Sequence, residues 1–356
     1  MIRIQEHINN PNADLILDAH AVSFWNYLNK KSADGSRYLE SSLIRKIESK
    51  LAVINSAEYK IIYADNDLKK LKRQKAFYNF LLQKNHFNLK RLIVSRPIEL
   101  EEIKNEIDSI IQQTDYKSGT SVNSIQTKFG SLLAEDIFNY KSFRKSTYCR
   151  QLVIDLGLQH ATCPYCNDNK IDIIDISTED DNEKITKAYL DLDHFMPKSQ
   201  NPFFALSFFN LIPSCHSCNS SEKGDKPFTN ITHTNPYYKC FNDQYFFKLH
   251  HKCVVDGDFG IENPIQLELI NGCTDKNGED LRIHQRYKNG NYESALKLVR
   301  LYKNHQDKFD SEKLKIAFKE LLLQDTPLNK NEILKYSLGK LKRDIIKQID
   351  IHNLIK

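Results

Sequence analysis

Apolar residues recur at helical spacing through most of the first 160 positions, where glycine is scarce. The run opened by Pro97 is the clearest. Leu100, Ile103, Ile107, Ile110 and Ile111 share one face, and Glu99, Glu101 and Glu102 fill the first turn, at the positive end of the helix dipole. A second helix over about 142–156 carries the stripe Tyr148, Cys149, Leu152, Val153, Leu156 and stops at Gly157, a residue suited to the left-handed position after a helix. The cluster Lys69, Lys70, Lys72, Arg73 and Lys75, interleaved with Leu71, Phe77 and Tyr78, reads as the solvated face of a third helix, with a nucleic-acid patch as the alternative. Further on the period changes. Ile171, Ile173, Ile174 and Ile176 predict one strand and Tyr189, Leu190 and Leu192 a second, joined by the acidic stretch Glu179-Asp180-Asp181-Asn182-Glu183. Helical spacing returns after about residue 290, with Leu334, Leu338, Leu341, Ile345 and Ile349 under a basic face. These patterns predict a mostly α-helical α+β protein in three stretches: a helical region 1–144, a mixed region 145–280 and a helical region 281–356.

Composition narrows the class. A chain of 356 residues with 40% apolar and 27% charged side chains is neither disordered throughout nor collagen-like. There is no apolar run long enough to span a bilayer, and the opening MIRIQEHINNPNADLILDAH has no signal-peptide pattern, so the expectation is a cytoplasmic protein without a membrane partner. The net charge of +5 is unevenly spread: +6 over residues 1–160, −9 over 161–280 and +8 over 281–356. The basic ends are where a grip on a phosphate backbone is expected.

The eight cysteines carry more information than the charge. Cys163-Pro164-Tyr165-Cys166 and Cys215-His216-Ser217-Cys218 are two C-x-x-C knuckles separated by 48 residues, and two such knuckles place four thiolates where tetrahedral zinc requires them. A closed four-sulfur site would hold the fold and do no chemistry. Cys149, Cys240, Cys253 and Cys273 have no paired spacing and read as small core residues.

Between the knuckles lies Asp191-Leu192-Asp193-His194-Phe195-Met196-Pro197-Lys198, then Asn210, and the second knuckle runs on into Asn219 and Lys223. A carboxylate beside a histidine at a strand end suits metal-assisted hydrolysis. Imidazole can take a proton from water, and a hard cation on oxygen ligands can neutralise a phosphate.

Over about residues 145–226 the chain resembles the HNH endonucleases, whose core is a ββα-metal finger. The order of a cysteine knuckle, a hairpin, an Asp-His pair, a central Asn, a second knuckle and a final His or Asn is the same here. It runs Cys163 and Cys166, Asp193 and His194, Asn210, Cys215 and Cys218, then Asn219, which stands where the family name has its last histidine. His216 is the competing candidate for that last position. The resemblance implies a zinc-stapled ββα-metal core embedded between helical regions. It makes His194 the general base, Asn210 the residue that fixes the loop bearing it, and Asp193 and Asn219 the ligands of a catalytic Mg²⁺ or Mn²⁺. It offers Lys198, Lys223 and Lys226 as phosphate contacts. The implied reaction is hydrolysis of nucleic acid, DNA first, to 5′ phosphate and 3′ hydroxyl ends.

Asn235-Pro236-Tyr237, followed by Phe241, Phe246 and Phe247, is similar to a segment that follows the HNH core in stand-alone bacterial nucleases, including the nuclease subunits of Septu-type anti-phage systems. That similarity implies a defence role beside a partner ATPase. The competing expectation from the residues themselves is a non-catalytic zinc module that binds nucleic acid or protein.

Overall fold

The computed structural model describes residues 2–119, 125–178, 185–258, 260–305 and 311–350. The chain is a mixed α and β protein in which helices dominate and small antiparallel sheets occupy the middle. Pro97–Asp108 forms as its apolar spacing predicts, burying Leu100, Ile103 and Ile107, with the Glu99 carboxylate accepting the Arg96 N–H at 3.3 Å. Ile110 and Ile111 fall past its end, where both N–H groups donate to the Ile107 carbonyl at 2.9 Å.

The single helix expected over about 142–156 is two, Tyr140–Lys145 and Thr147–Asp155. Ser146 divides them: its backbone is extended and its Oγ accepts the Cys149 N–H at 3.1 Å, a cap inside an otherwise continuous stripe. The second ends as expected, with Gly157 at φ +69° and the Leu158 N–H returning to the Val153 carbonyl at 3.1 Å. In the basic cluster Lys70 pairs with Asp65 at 2.5 Å, and Arg73 grips the buried Asp115 through two bonds of 2.6 and 2.7 Å. Lys69, Lys72 and Lys75 are exposed, as on a solvated face.

The isoleucine run forms Lys170–Asp175, flanked by Ala161–Thr162 and Thr186–Tyr189. The acidic connection Glu179-Asp180-Asp181-Asn182-Glu183 lies outside the described residues. The second expected strand is cut at Leu190. Thr186–Tyr189 stays in this sheet, whereas Asp191–His194 leaves it and pairs with Leu211–Ser214. Two hairpins therefore stand where one was expected, and the Asp-His pair belongs to the second. Tyr245–Leu249 with Ile265–Leu269 and Lys117–Ser118 with Ile125–Gln126 complete the sheets among the described residues.

At the C-terminal end the stripe from Leu334 to Ile349 is also divided. Lys330–Lys335 is a 3₁₀ turn and the helix is Gly339–Ile349, with Leu338 between them at φ +58°. Gly339 permits the join, since a Cβ there would lie 2.9 Å from the Ile333 carbonyl oxygen.

All three stretches meet at the first cysteine knuckle. From the N-terminus, the Ile2 N–H donates to the Pro164 carbonyl at 2.9 Å. From the C-terminal stretch, the buried Asn167 amide donates to the Ile333 and Tyr336 carbonyls at 2.9 and 3.1 Å, and its Oδ1 accepts the Lys340 N–H at 2.8 Å. The Tyr287 hydroxyl bonds the Cys166 carbonyl. The mixed region is thus clamped between its helical neighbours, and one apolar core runs from Ile2 to Ile349.

Candidate metal centre and active site

The four knuckle cysteines are buried and unoxidised, and their Sγ atoms all lie within 4.8 Å of one another. Cys166 and Cys215 Sγ are 3.9 Å apart, too far for a disulfide and close to the ~3.8 Å edge of a tetrahedron with zinc–sulfur bonds of about 2.3 Å. Burial pushes the Cys163 thiol well above its usual range, and the neighbouring thiols add to the shift. Donors surround the cluster. The Cys215 N–H reaches Cys163 Sγ at 3.3 Å, the Asn169 amide reaches Cys215 Sγ at 3.5 Å, and Arg286 Nη1 reaches Cys218 Sγ at 3.2 Å. These four residues fit a metal ion such as zinc.

Of the other cysteines, Cys149 and Cys253 are core residues, and Cys273 is only half-buried. Cys240 is buried, but its Sγ lies 3.3 Å from Glu6 Oε2 and near Asp243, a grouping with no signal in the spacing. Lys330 already neutralises Asp243 at 3.1 Å.

The hairpin leading away from the knuckle has the register Asp191 to Ser214, Asp193 to Ile212 and His194 to Leu211. Side chains alternate along a strand, so Asp191 and Asp193 share one face and His194 takes the other. The two faces have different fates. His194 is buried with 8% of its surface exposed, its ring set edge-on to Tyr140 at 4.4 Å and its Nε2 3.1 Å from the Ala205 carbonyl. A carbonyl only accepts, so Nε2 carries the proton and Nδ1 keeps its lone pair. Burial, helped by the charge of Lys198, lowers the His194 pKa to about 3, so the ring is neutral at physiological pH.

Asn210 ties down the loop after His194. Its Oδ1 accepts the Met196 N–H at 2.7 Å, and its amide donates to the Met196 and Phe204 carbonyls at 3.1 and 3.2 Å.

On the opposite face, Asp193 is 2% exposed and both of its oxygens are engaged. The Tyr165 hydroxyl donates to Oδ2 at 2.6 Å, and Lys223 Nζ donates to Oδ1 at 2.9 Å and to the His194 carbonyl at 2.7 Å. Burial and the Asp193 charge keep the Tyr165 phenol protonated, well above its usual range. Asn219 is not brought to Asp193 by any hydrogen bond. Its amide donates to Asp191 Oδ2 at 3.0 Å, and His216 Nδ1 lies 3.0 Å from the same oxygen. Asp193 and Asn219 as placed therefore do not fit a shared divalent ion: an ammonium group already supplies positive charge to the Asp193 carboxylate, and the amide serves a different one.

The lysines divide likewise. Lys223 is buried in that ion pair, with its Nζ 5.2 Å from the Phe228 ring centre, and offers no ammonium to solvent. Lys226 donates to the Asp280 carbonyl at 2.5 Å and lies 3.7 Å from its carboxylate. Lys198 stands 5.1 Å over the Tyr140 ring, on the His194 side, and pairs with no carboxylate among the described residues. Tyr237 of the Asn235-Pro236-Tyr237 segment packs against Phe208 and Phe209 at 5.9 and 5.4 Å, and Phe247 stacks on Tyr287 at 5.1 Å, so these aromatics serve the core.

Sequence reasoning missed Asp191, Tyr165, Tyr140 and Arg286. Only Asp191 had a signal, its period-two spacing from Asp193. Among the described residues no helix is long and apolar enough to cross a membrane. Protein-family models, curated proteins and solved structures contain no match to this chain.

Proposed function

We propose that the chain is an HNH-type endonuclease, a zinc-stapled phosphodiesterase acting on nucleic acid, with DNA as the expected substrate. The observation that carries this reading is His194. A neutral imidazole stands at the end of the hairpin that runs back to the cysteine cluster, with Nε2 fixed by a carbonyl and the following loop bolted by Asn210. Such a ring keeps its lone pair on Nδ1, the atom through which a general base would take a proton from water. Lys198 is the cation nearest to that role, close enough to depress the imidazole pKa and free to meet a phosphate. Asp193 is held by Lys223, so its carboxylate is not open to a catalytic Mg²⁺ or Mn²⁺. A defence role beside a partner ATPase belongs to the same reading and rests on the sequence similarity alone.

The test is nicking of supercoiled plasmid by the full chain in Mg²⁺ and in Mn²⁺, for the parent and for His194→Ala. The expected loss is about 10²- to 10⁴-fold, the usual contribution of a positioned base. Equal cleavage by the two proteins would remove His194 from the mechanism. A second reading, the non-catalytic zinc module, is favoured by one feature: the Asp193–Lys223 pair closes the face where the resemblance puts a metal. It predicts no cleavage by the parent in either ion and binding that survives His194→Ala with Asp193→Ala.

A further inference from the structure

Two hollows that share Tyr27 and Lys30 run along the surface of the helical flank. One, of about 730 Å³, lies between the helices Ala13–Leu28 and Thr147–Asp155 and is lined by Asn26, Tyr27, Lys30, Thr147, Tyr148 and Arg150 among others. The other, of about 180 Å³, shares Tyr27 and Lys30, adds Lys46, and reaches Asn139, Ser142 and Leu206. Asn139 and Leu206 are the chain neighbours of Tyr140 and Ala205, which touch the His194 ring. The hollows thus form one track along the helical flank, whose inner end is one residue away in the chain from two residues that touch the His194 ring.

The lining has a consistent chemistry. Among the described residues it contains three cations and no carboxylate. Lys30 lies 5.0 Å over the Tyr27 ring, Lys46 donates to the Asp136 carbonyl at 2.8 Å, and Arg150 Nε donates to the Thr186 hydroxyl at 2.9 Å. Among the described residues none of the three makes an ion pair, and only Lys46 has a carboxylate acting on it from nearby, that of Asp136, which pairs with Lys50. Tyr27 and Tyr148 stack at 4.0 Å with planes 10° apart, and the Tyr148 hydroxyl lies 3.2 Å from Ser23 Oγ, which holds the ring in place. Both tyrosines are half-buried and line the groove. Phe24 lies 6.3 Å from Tyr148 and nearly parallel to it, so the Tyr27 end of the stack, beside the exposed Lys30, is the one that accepts an unstacked base, with backbone phosphates along its side. A duplex keeps its bases stacked on one another and has none to offer.

We infer that this groove binds single-stranded nucleic acid, with bases on the Tyr27–Tyr148 stack and phosphates on Lys30, Lys46 and Arg150. The inference rests on the nuclease reading only for its direction, toward His194.

The test is fluorescence anisotropy with labelled dT20, rU20 and a 20-base-pair DNA duplex, on full-length protein carrying His194→Ala so that cleavage cannot intrude. Single strands bind more tightly than the duplex. Lys30→Ala with Arg150→Ala weakens single-strand binding and reduces the slope of log affinity against log salt by about 1.4, that is ~0.7 per phosphate contact. Tyr27→Leu weakens it about 5- to 150-fold, the range seen for loss of one base–aromatic stack, while Tyr27→Phe retains it. Lys252→Ala with Lys313→Ala, two exposed lysines away from the groove, changes neither quantity. The inference is overturned if the duplex binds as well as the single strands, or if the groove variants match this control. Preference for dT20 or for rU20 identifies the natural strand and supports the groove either way. Loss of binding in the groove variants of a chain that never cleaves leaves the groove standing and removes the nuclease; His194-dependent cleavage with unaltered binding does the reverse.

Discussion

The hairpin Asp191–His194 with Leu211–Ser214 has two ends, and the sequence described them unequally. At the cysteine end, four residues of one type came together as their spacing required, with Sγ atoms within 4.8 Å. At the Asp-His end, residues of mixed type found partners that spacing did not indicate: Lys223 and Tyr165 for Asp193, and Asp191 for Asn219. Four thiols around one point have a single low-energy use, whereas a carboxylate accepts whichever cation or hydroxyl the fold brings nearest. Spacing alone therefore specifies the first arrangement and underdetermines the second.

The largest effect expected from breaking this comparison is at the cysteine end. Replacing Cys215 by serine, or stripping the metal with a strong chelator, removes binding energy on the order of 10 kcal/mol, comparable to the whole stability of a domain. All three stretches clamp the knuckle, so unfolding should extend through the chain and not stop at residues 145–280. Metal analysis of the parent should return one zinc per chain, and circular dichroism should show loss of helix in Cys215→Ser. A zinc-free variant with parental helicity would break the structural assignment.

At the other end, Lys223→Met leaves the Asp193 carboxylate buried without its cation and should cost about 3–5 kcal/mol in urea unfolding. Adding Asp193→Asn should restore most of that loss, because an amide carries no charge to strand. A double variant no better than the single one means that the pair contributes through packing.

The smallest effect is on pH dependence. The His194 pKa is about 3 in the folded chain and near 6.5 when unfolded, so between these values the unfolded state binds the extra proton. Stability from this group is therefore complete above pH 6.5 and is lost as pH falls toward 3, at up to about 1.4 kcal/mol per pH unit. Urea midpoints at pH 7 and pH 5 should differ more for the parent than for His194→Gln. Equal differences would show that the imidazole titrates normally.

Legibility followed the same physics elsewhere. The helix Pro97–Asp108 formed because proline, first-turn carboxylates and apolar spacing all agreed. The stripe over about 142–156 was read as one helix because Ser146 leaves the hydrophobic period intact while its hydroxyl caps a new start. Tyr189, Leu190 and Leu192 were read as one strand because a change of sheet at Leu190 leaves no mark in the alternation. The acidic excess of the middle third, −9 by count, suggested nothing useful about binding. The cations Lys30, Lys46 and Arg150 lie far apart in the chain, and only folding places them along one groove with Tyr27 and Tyr148.

The sequence by itself determined the helical majority and a four-cysteine cluster able to hold a metal ion such as zinc. Each depends on local periodicity or on one residue type with one favourable arrangement. The tertiary structure decided which face of the hairpin His194 occupies, that Asp193 is matched by an ammonium group, that Asn219 serves Asp191, and that the two outer regions close on the first knuckle. Those outcomes depend on charges and hydrogen-bond partners distant in the chain, and a buried polar group takes its partner from the packing around it.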